Sequence, residues 1–371
     1  MLFGDRTKLL GILFGITFAA LLISQQASVF CGLMLLTTSQ IKDVRDAELW
    51  VMDPNMQNID DLKPLRDTDL LRVQGVSEIQ WAVRLFKGQG RARLRNGDFR
   101  TVMLIGLDDA TLAGAPRELI AGSLEDLRLP EAVIMDERGY EHLWPGEPIR
   151  LNRSFEMNDN RARLVGVCRV SQTFQAFPIV YTRYSRAIRF APPRRKVLSF
   201  VLARSDPDVP VLEAARAVRE QTGLQAQTRE QFMWKPMWYY MEETGIPVNF
   251  GLTVLLGFLV GTAVAGQTFY LFIVENLSQF ATLKAMGAGN TAITRIVLLQ
   301  ALLVGLIGYG SGVGLAAAFG EFARRTDRIA FYMPWEVLIG AGAAVLLMVV
   351  VASLLSIRRL IILDPAEVFR V

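Results

Sequence analysis

The chain has one histidine, His142, and two cysteines, Cys31 and Cys168. A Ser-His-Asp triad or an imidazole-based metal site needs a histidine with partners around it. His142 stands in a polar stretch without them. There is no G-x-x-x-x-G-K-[ST] phosphate loop and no G-x-S-x-G nucleophile turn. Cys31 lies in an apolar run and Cys168 in a polar region, so both read as small buried residues rather than a disulfide pair. The expectation is a chain with no catalytic residue, no metal ligand and no cofactor of its own.

Function must therefore come from the elements. Four uncharged runs dominate, between Lys8 and Lys42, Glu243 and Glu275, Arg295 and Glu321, and Glu336 and Arg358. Each is about 20 to 30 residues, enough to cross roughly 30 Å of hydrocarbon as helix. The first is too long for a signal-peptide core and has no early small-residue cleavage pattern. The spacing is one plus three, with some 200 mostly polar residues in the gap, enough to bury a core of their own. The net charge of +4 is small and implies no nucleic-acid partner.

Four spans put both termini on one side. Arg6, Lys8, Arg358, Arg359 and Arg370 favour the cytoplasm for that side, although Arg324, Arg325 and Arg328 sit in the loop opposite. Trp238, Tyr239 and Tyr240 precede the second span, and Phe331, Tyr332 and Trp335 precede the fourth, as interfacial rings would.

The long insert reads as α+β. Residues 48–52, 77–85, 91–95, 99–105, 132–135, 148–151, 162–170 and 197–203 have strand character. Asn96-Gly97 between two of these runs signals a hairpin. Residues 211–221 carry apolar residues at helical spacing and stop at Gly223. From Arg161 to Arg204 there are ten basic residues and no acidic one, among them Arg183, Arg186, Arg189, Arg194, Arg195 and Lys196. They form either a positive face for lipid head groups or an acidic partner, or a solvated surface whose counter-charges lie elsewhere.

The spans contain no ionisable residue, which argues against a self-powered carrier. Gly11/Gly15 and Gly257/Gly261 are G-x-x-x-G pairs, suited either to a dimer face or to packing within one chain. Ser24, Gln25, Gln26 and Ser28 are the polar exception in the first span. They either bond across helices or line a wet cavity, or the helix leaves the membrane there as a stalk.

The segment between the second and third spans is the most specific. Glu275 is followed by Leu283-Lys284-Ala285-Met286-Gly287-Ala288. This resembles the cytoplasmic coupling helix of MacB/FtsX-like permeases of ABC transporters, an acidic residue and then L-[KR]-A-[LM]-G-A. Ser278-Gln279 departs from the charged pair common there. Leu363-Asp364-Pro365 through Arg370 resembles the family's closing motif, and residues 146–151 with 162–167 resemble its outer-domain strand pair. Residues 48–53 are similar to the DevC-like branch.

The resemblance implies a division of the chain. Residues 1–8 form a cytoplasmic N-terminus, 9–38 the first span and 39–245 an extracytoplasmic α+β domain. Residues 246–274 are the second span, 275–295 the coupling helix and 296–320 the third span. Residues 321–336 form an outer loop, 337–357 the fourth span and 358–371 a cytoplasmic C-terminus. It also implies a bacterial inner-membrane protein that pairs with a second copy and with a cytoplasmic ATPase dimer, which binds the ATP and Mg. A membrane-fusion adaptor and an outer-membrane channel are implied further partners. Phe280, Leu283 and Met286 would be apolar anchors for the ATPase, beside Lys284, Gly287 and Ala288. The implied function is force transmission in an exporter. The alternative is a regulator that signals across the membrane to an outer partner.

Overall fold

The computed structural model describes residues 6–362 apart from 45, 95, 193–197 and 327–328. In chain order its elements begin with α1 (Arg6–Asp43), β1 (Leu49–Met52), α2 (Asp67–Gln74), β2 (Ile79–Arg93), β3 (Phe99–Leu107) and β4 (Glu118–Gly122). Next come β5 (Ala132–Asp136), α3 (Glu137–Leu143), β6 (Ser154–Met157), β7 (Asn160–Arg169), β8 (Ile179–Arg183) and α4 (Tyr184–Phe190). The last are β9 (Phe200–Ser205), α5 (Val211–Thr222), β10 (Gln225–Thr228), α6 (Arg229–Glu242), α7 (Ile246–Glu275), α8 (Leu277–Ala285), α9 (Asn290–Thr326) and α10 (Trp335–Ile362). The chain forms two compact units, a helical bundle of Met1–Met34 with Thr244–Val371, and a sheet unit of Leu35–Glu243.

Four helices are long and apolar enough to cross a membrane: α1, then α7, α9 and α10 after the sheet unit. In lipid, apolar burial gives helices little reason to associate, so close contact must hold them. Glycine supplies it. A Cβ at Gly15 would lie 2.6 Å from Val264, and one at Gly261 would lie 2.4 Å from Ala19. Gly11 faces Thr268 and Gly257 faces Leu22, so α1 and α7 run antiparallel along both G-x-x-x-G pairs. These four glycines, candidates for dimer or cavity contacts or for packing within one chain, make contacts within the chain. Gly308 and Gly312 of α9 meet Ile16 and Ala20 on another side of α1. Two hydrogen bonds add to the packing: Ser356 Oγ donates to the Gly266 carbonyl, and Tyr309 Oη to the Leu338 carbonyl.

In the sheet unit, strands line up as β10-β1-β9-β2-β3-β8-β5-β7-β4, mostly antiparallel, with β3/β8 and β5/β7 parallel. β6 pairs with β7 and touches β2 at Ala92↔Met157, so β2, β3, β8, β5, β7 and β6 close into a ring. Side chains alternate between two cores. Leu49, Val51, Phe86, Leu104 and Val201 belong to one, with α2, α4 and α5 packed on it. Trp50, Met52, Leu85, Ile105 and Leu202 belong to the other, with Phe232 of α6. Trp50 lies 5.3 Å from both Phe200 and Phe232 between ring centroids. With both faces covered, β1 is buried at every position.

The structure changes several sequence expectations. Residues 79–85 and 91–93 of the two expected strands fall on one fifteen-residue strand, β2 (Ile79–Arg93), and the turn at Gly97 (φ +90°) leads into β3. Residues 148–151 are not a strand. The Tyr140 hydroxyl donates to the Pro148 carbonyl and accepts from the Arg150 N–H, which takes that backbone away from any ladder. Elements with little sequence signal complete the unit: β4, β6, β8, β10 and the short helices α2, α3 and α4. α6 opens on a capping box, in which Thr228 and Gln231 each accept the other's backbone N–H.

Asp136 ends β5 and caps α3. Its Oδ1 accepts from the N–H groups of Gly139 and Ile179. Burial pushes its carboxyl up from 3.8 to about 6, against those two bonds and Arg138. The folded state then holds this proton where the unfolded state releases it, so stability falls as pH rises from about 4 to about 6. Asp136→Asn keeps the acceptor and removes the charge. It is expected to raise the thermal midpoint of the full chain at pH 7.5 by an amount worth about 3 kcal/mol at most, fading towards pH 4. A gap that does not vary with pH contradicts this. In the bundle, Gly261→Leu is expected to cost about 1–3 kcal/mol or to prevent assembly. Gly310→Leu meets nothing within 4 Å and should melt like the wild type in detergent.

Candidate functional site

The segment joining α7 to α9 is built by caps at both ends of a short helix. Asn276 closes α7: its N–H and its Nδ2 both donate to the Phe272 carbonyl. The Asn276 carbonyl then accepts from the N–H groups of Gln279 and Phe280, starting α8. At the far end the Gly287 N–H donates to Lys284 and the Ala288 N–H to Leu283, at 2.9 and 3.0 Å. This pair of bonds is a Schellman stop, which requires a left-handed residue at its turn. Gly287 has φ +95° and fills that role.

The L-K-A-M-G-A string therefore divides by task. Leu283 and Ala288 are half-buried against the bundle core and form the apolar contact of the stop. Gly287 makes the turn. Met286 is 71% exposed, with Ala285 exposed beside it, and Lys284 is half-buried in the last turn. Lys284 there also complements the negative end of the helix dipole.

Phe280 departs from expectation. It is fully buried, its ring edge-on to Phe272 at 6.3 Å, in a cluster with Ile12, Phe269, Ile273, Ile293 and Val297. It anchors α8 to the bundle and presents no surface to a partner. The reason is angular. Six residues at about 100° each put Phe280 and Met286 about 120° apart, so one cannot share the other's face. Exposed positions on α8 and its turns are Ser278, Gln279, Thr282, Ala285, Met286 and Gly287. Asn276, whose two hydrogen bonds to the Phe272 carbonyl fix where α8 starts, is not among the residues that sequence singles out. An Asn at a helix end was its only signal.

The other candidates are placed as follows. Ser24 is fully buried, and its hydroxyl has no hydrogen-bond partner among the described residues; Ser28 Oγ donates to the Ser24 carbonyl. Gln25 and Gln26 are half-buried. Arg183, Arg186 and Arg189 follow α4 at intervals of three, flanking its buried side of Tyr184, Ala187 and Phe190. Arg183 is drawn inward and donates to the Arg128 carbonyl, whereas Arg189 is exposed. Arg194, Arg195 and Lys196 lie outside the described residues. Several arginines of the basic run have counter-charges from elsewhere: Arg161 pairs with Glu131, and Arg169 with Glu118 and Glu137. His142 is exposed, with Nδ1 2.7 Å from the Arg138 carbonyl oxygen of its own helix.

Comparison with known proteins bears on this joint. Residues 251–365 match the FtsX-like permease C-terminal family. The uncharacterised ABC transporter permease Rv0072 of Mycobacterium tuberculosis is 29% identical over 125 residues, 33% of this chain and 34% of that protein. The chain thus matches about a third of the length of this curated relative. Among solved structures, the periplasmic region of MacB from Actinobacillus actinomycetemcomitans is 16% identical with a TM-score of 0.40, over 51% of this chain and 92% of that one. The extracellular domain of the noncanonic ABC-type transporter YknZ from Gram-positive bacteria is 14% identical with a TM-score of 0.35, over 49% of this chain and 98% of that one. The part of the chain that holds the three later spans thus matches an FtsX-like permease domain, and a mixed sheet unit stands between the first span and that domain.

Proposed function

We propose that this chain is the permease subunit of an ATP-driven exporter. A separate cytoplasmic ATPase dimer docks on the exposed turn of α8 and hydrolyses ATP with Mg; the chain itself is not an enzyme. Two copies pair, and ATPase closure moves the spans and the sheet unit, which meets an adaptor and an outer-membrane channel outside the cell. The protein sits in the bacterial inner membrane with both termini in the cytoplasm. The observation that carries this reading is the design of α8. A helix of nine residues is locked into the bundle by Phe280, while its C-terminal turn presents Met286 to the surroundings. A short apolar tip on a rigid base suits docking into a protein pocket.

Met286→Asp is expected to leave bundle stability within about 0.5 kcal/mol of the wild type, because the side chain is exposed. It should abolish co-purification of the ATPase and ATP-dependent activity. Phe280→Ala is expected to cost about 3 kcal/mol of stability, since it empties a packed site. Full ATP-dependent activity in the Met286→Asp variant would refute the docking. A thiol reagent that does not cross membranes is expected to label His142→Cys in intact cells. Protection there would invert the sidedness. Capture of a cell-wall hydrolase by the full chain, in place of an elongated adaptor, would favour a regulator over an exporter.

A further inference from the structure

The spans carry no charge, yet one ion pair stands at the end of the bundle where α8 lies. Lys8, in the first turn of α1, donates from Nζ to Oε2 of Glu275, the last residue of α7. The lysine side chain is 17% exposed and the glutamate 55%. Glu275 immediately precedes Asn276, the residue that ends one helix and begins the next. Phe280 reaches the same end of α1, sharing a cluster with Ile12 and Ile16, with Leu9 and Leu13 packed on it. The joint thus meets α1 by charge at Lys8, and Phe280 shares a buried apolar cluster with Ile12 and Ile16 of α1.

We infer that Lys8–Glu275 is a positioning strut that makes the start of α1 and the α7–α8 joint move together. This rests on the reading of α8 as the ATPase dock and says how load leaves it. Backbone continuity alone carries a displacement of α8 into α7 and α9. α1 is joined to neither by a short connection; glycine contacts set its spacing to α7 and α9, and at the α8 end side chains complete the link. The packed ring resists compression, but a ring lying against aliphatic side chains does not resist sliding. A charge-assisted hydrogen bond between fixed helix ends has direction and does resist it. Glu275, the acidic member of the motif, thereby acquires a task distinct from contact with a partner.

The test uses the full chain in lipid nanodiscs, first without ATPase. Amide hydrogen exchange is followed in residues 277–285 and in the first turns of α1 for Lys8→Glu, Glu275→Lys and the double reversal. Each single reversal is expected to raise exchange in both segments by on the order of fivefold, the scale of one partly exposed ion pair. The double reversal should restore both. With the ATPase added, the single variants should retain it at wild-type levels yet lose stimulation of hydrolysis, which the double variant regains. A purely structural role would change the thermal midpoint without rescue of stimulation by charge order. Exchange that rises in α8 alone, or a double variant that does not recover, overturns the strut. Failure of the wild-type chain to retain the ATPase overturns the docking reading, while the exchange result still decides the strut.

Discussion

Four helices in hydrocarbon have little solvent-driven reason to adhere, and this bundle holds together because glycine lets backbones meet. α1 packs on α7 and on α9, and α10 packs on the same two helices. α1 offers Gly11 and Gly15 to α7 and receives Gly257 and Gly261 in return, while Gly308 and Gly312 of α9 close on Ile16 and Ala20. A methyl group at most of these contacts would sit closer than packed atoms allow. The crossings are therefore fixed by absence of side chain, and absence cannot be adjusted by a rotamer change. The bundle behaves as a frame with set spacings.

The sheet unit follows other physics. It is assembled in water, where burial drives association, and it covers both faces of its sheet. Burial there even carries ionisable groups inside. Lys87 is fully buried in β2 with its amine pushed down by desolvation, and it is satisfied by the Ile59 carbonyl and Asp60. α8 stands between these regimes, its inner side packed into the frame and its outer side polar apart from Ala285 and Met286.

Much of this was legible beforehand, for reasons that differ by element. The spans are visible because lipid tolerates no other composition. The Asn96-Gly97 turn and the Gly223 stop are visible because only special backbone angles fit there. Sequence marks β2 as two runs, and between them stand Lys87, Gly88 and Gly90, of which the glycines are poor strand formers. What makes it one strand is pairing with β3 and β9, and partners distant in sequence leave no local mark. At the site, the motif located α8 but not its orientation. Apolar residues three apart suggested one face, yet over six positions the helix turns too far, and Phe280 went inward. The glycine pairs were recognised as contacts, but sequence does not say whether the partner is another copy or the same chain.

The register of β1 has an architectural consequence. Leu49 stands opposite Thr228, and the Glu48 carbonyl accepts from the Arg229 N–H. The sheet unit thus leaves and returns at adjacent points, its neck stitched shut by backbone bonds. All the chain between those residues is, to the helices that carry it, a closed loop of fixed mouth. Strands far from the neck are free to lengthen or shorten without altering the pairing of β1 with β10 that closes it. The sheet can change its outer strands and keep its mouth.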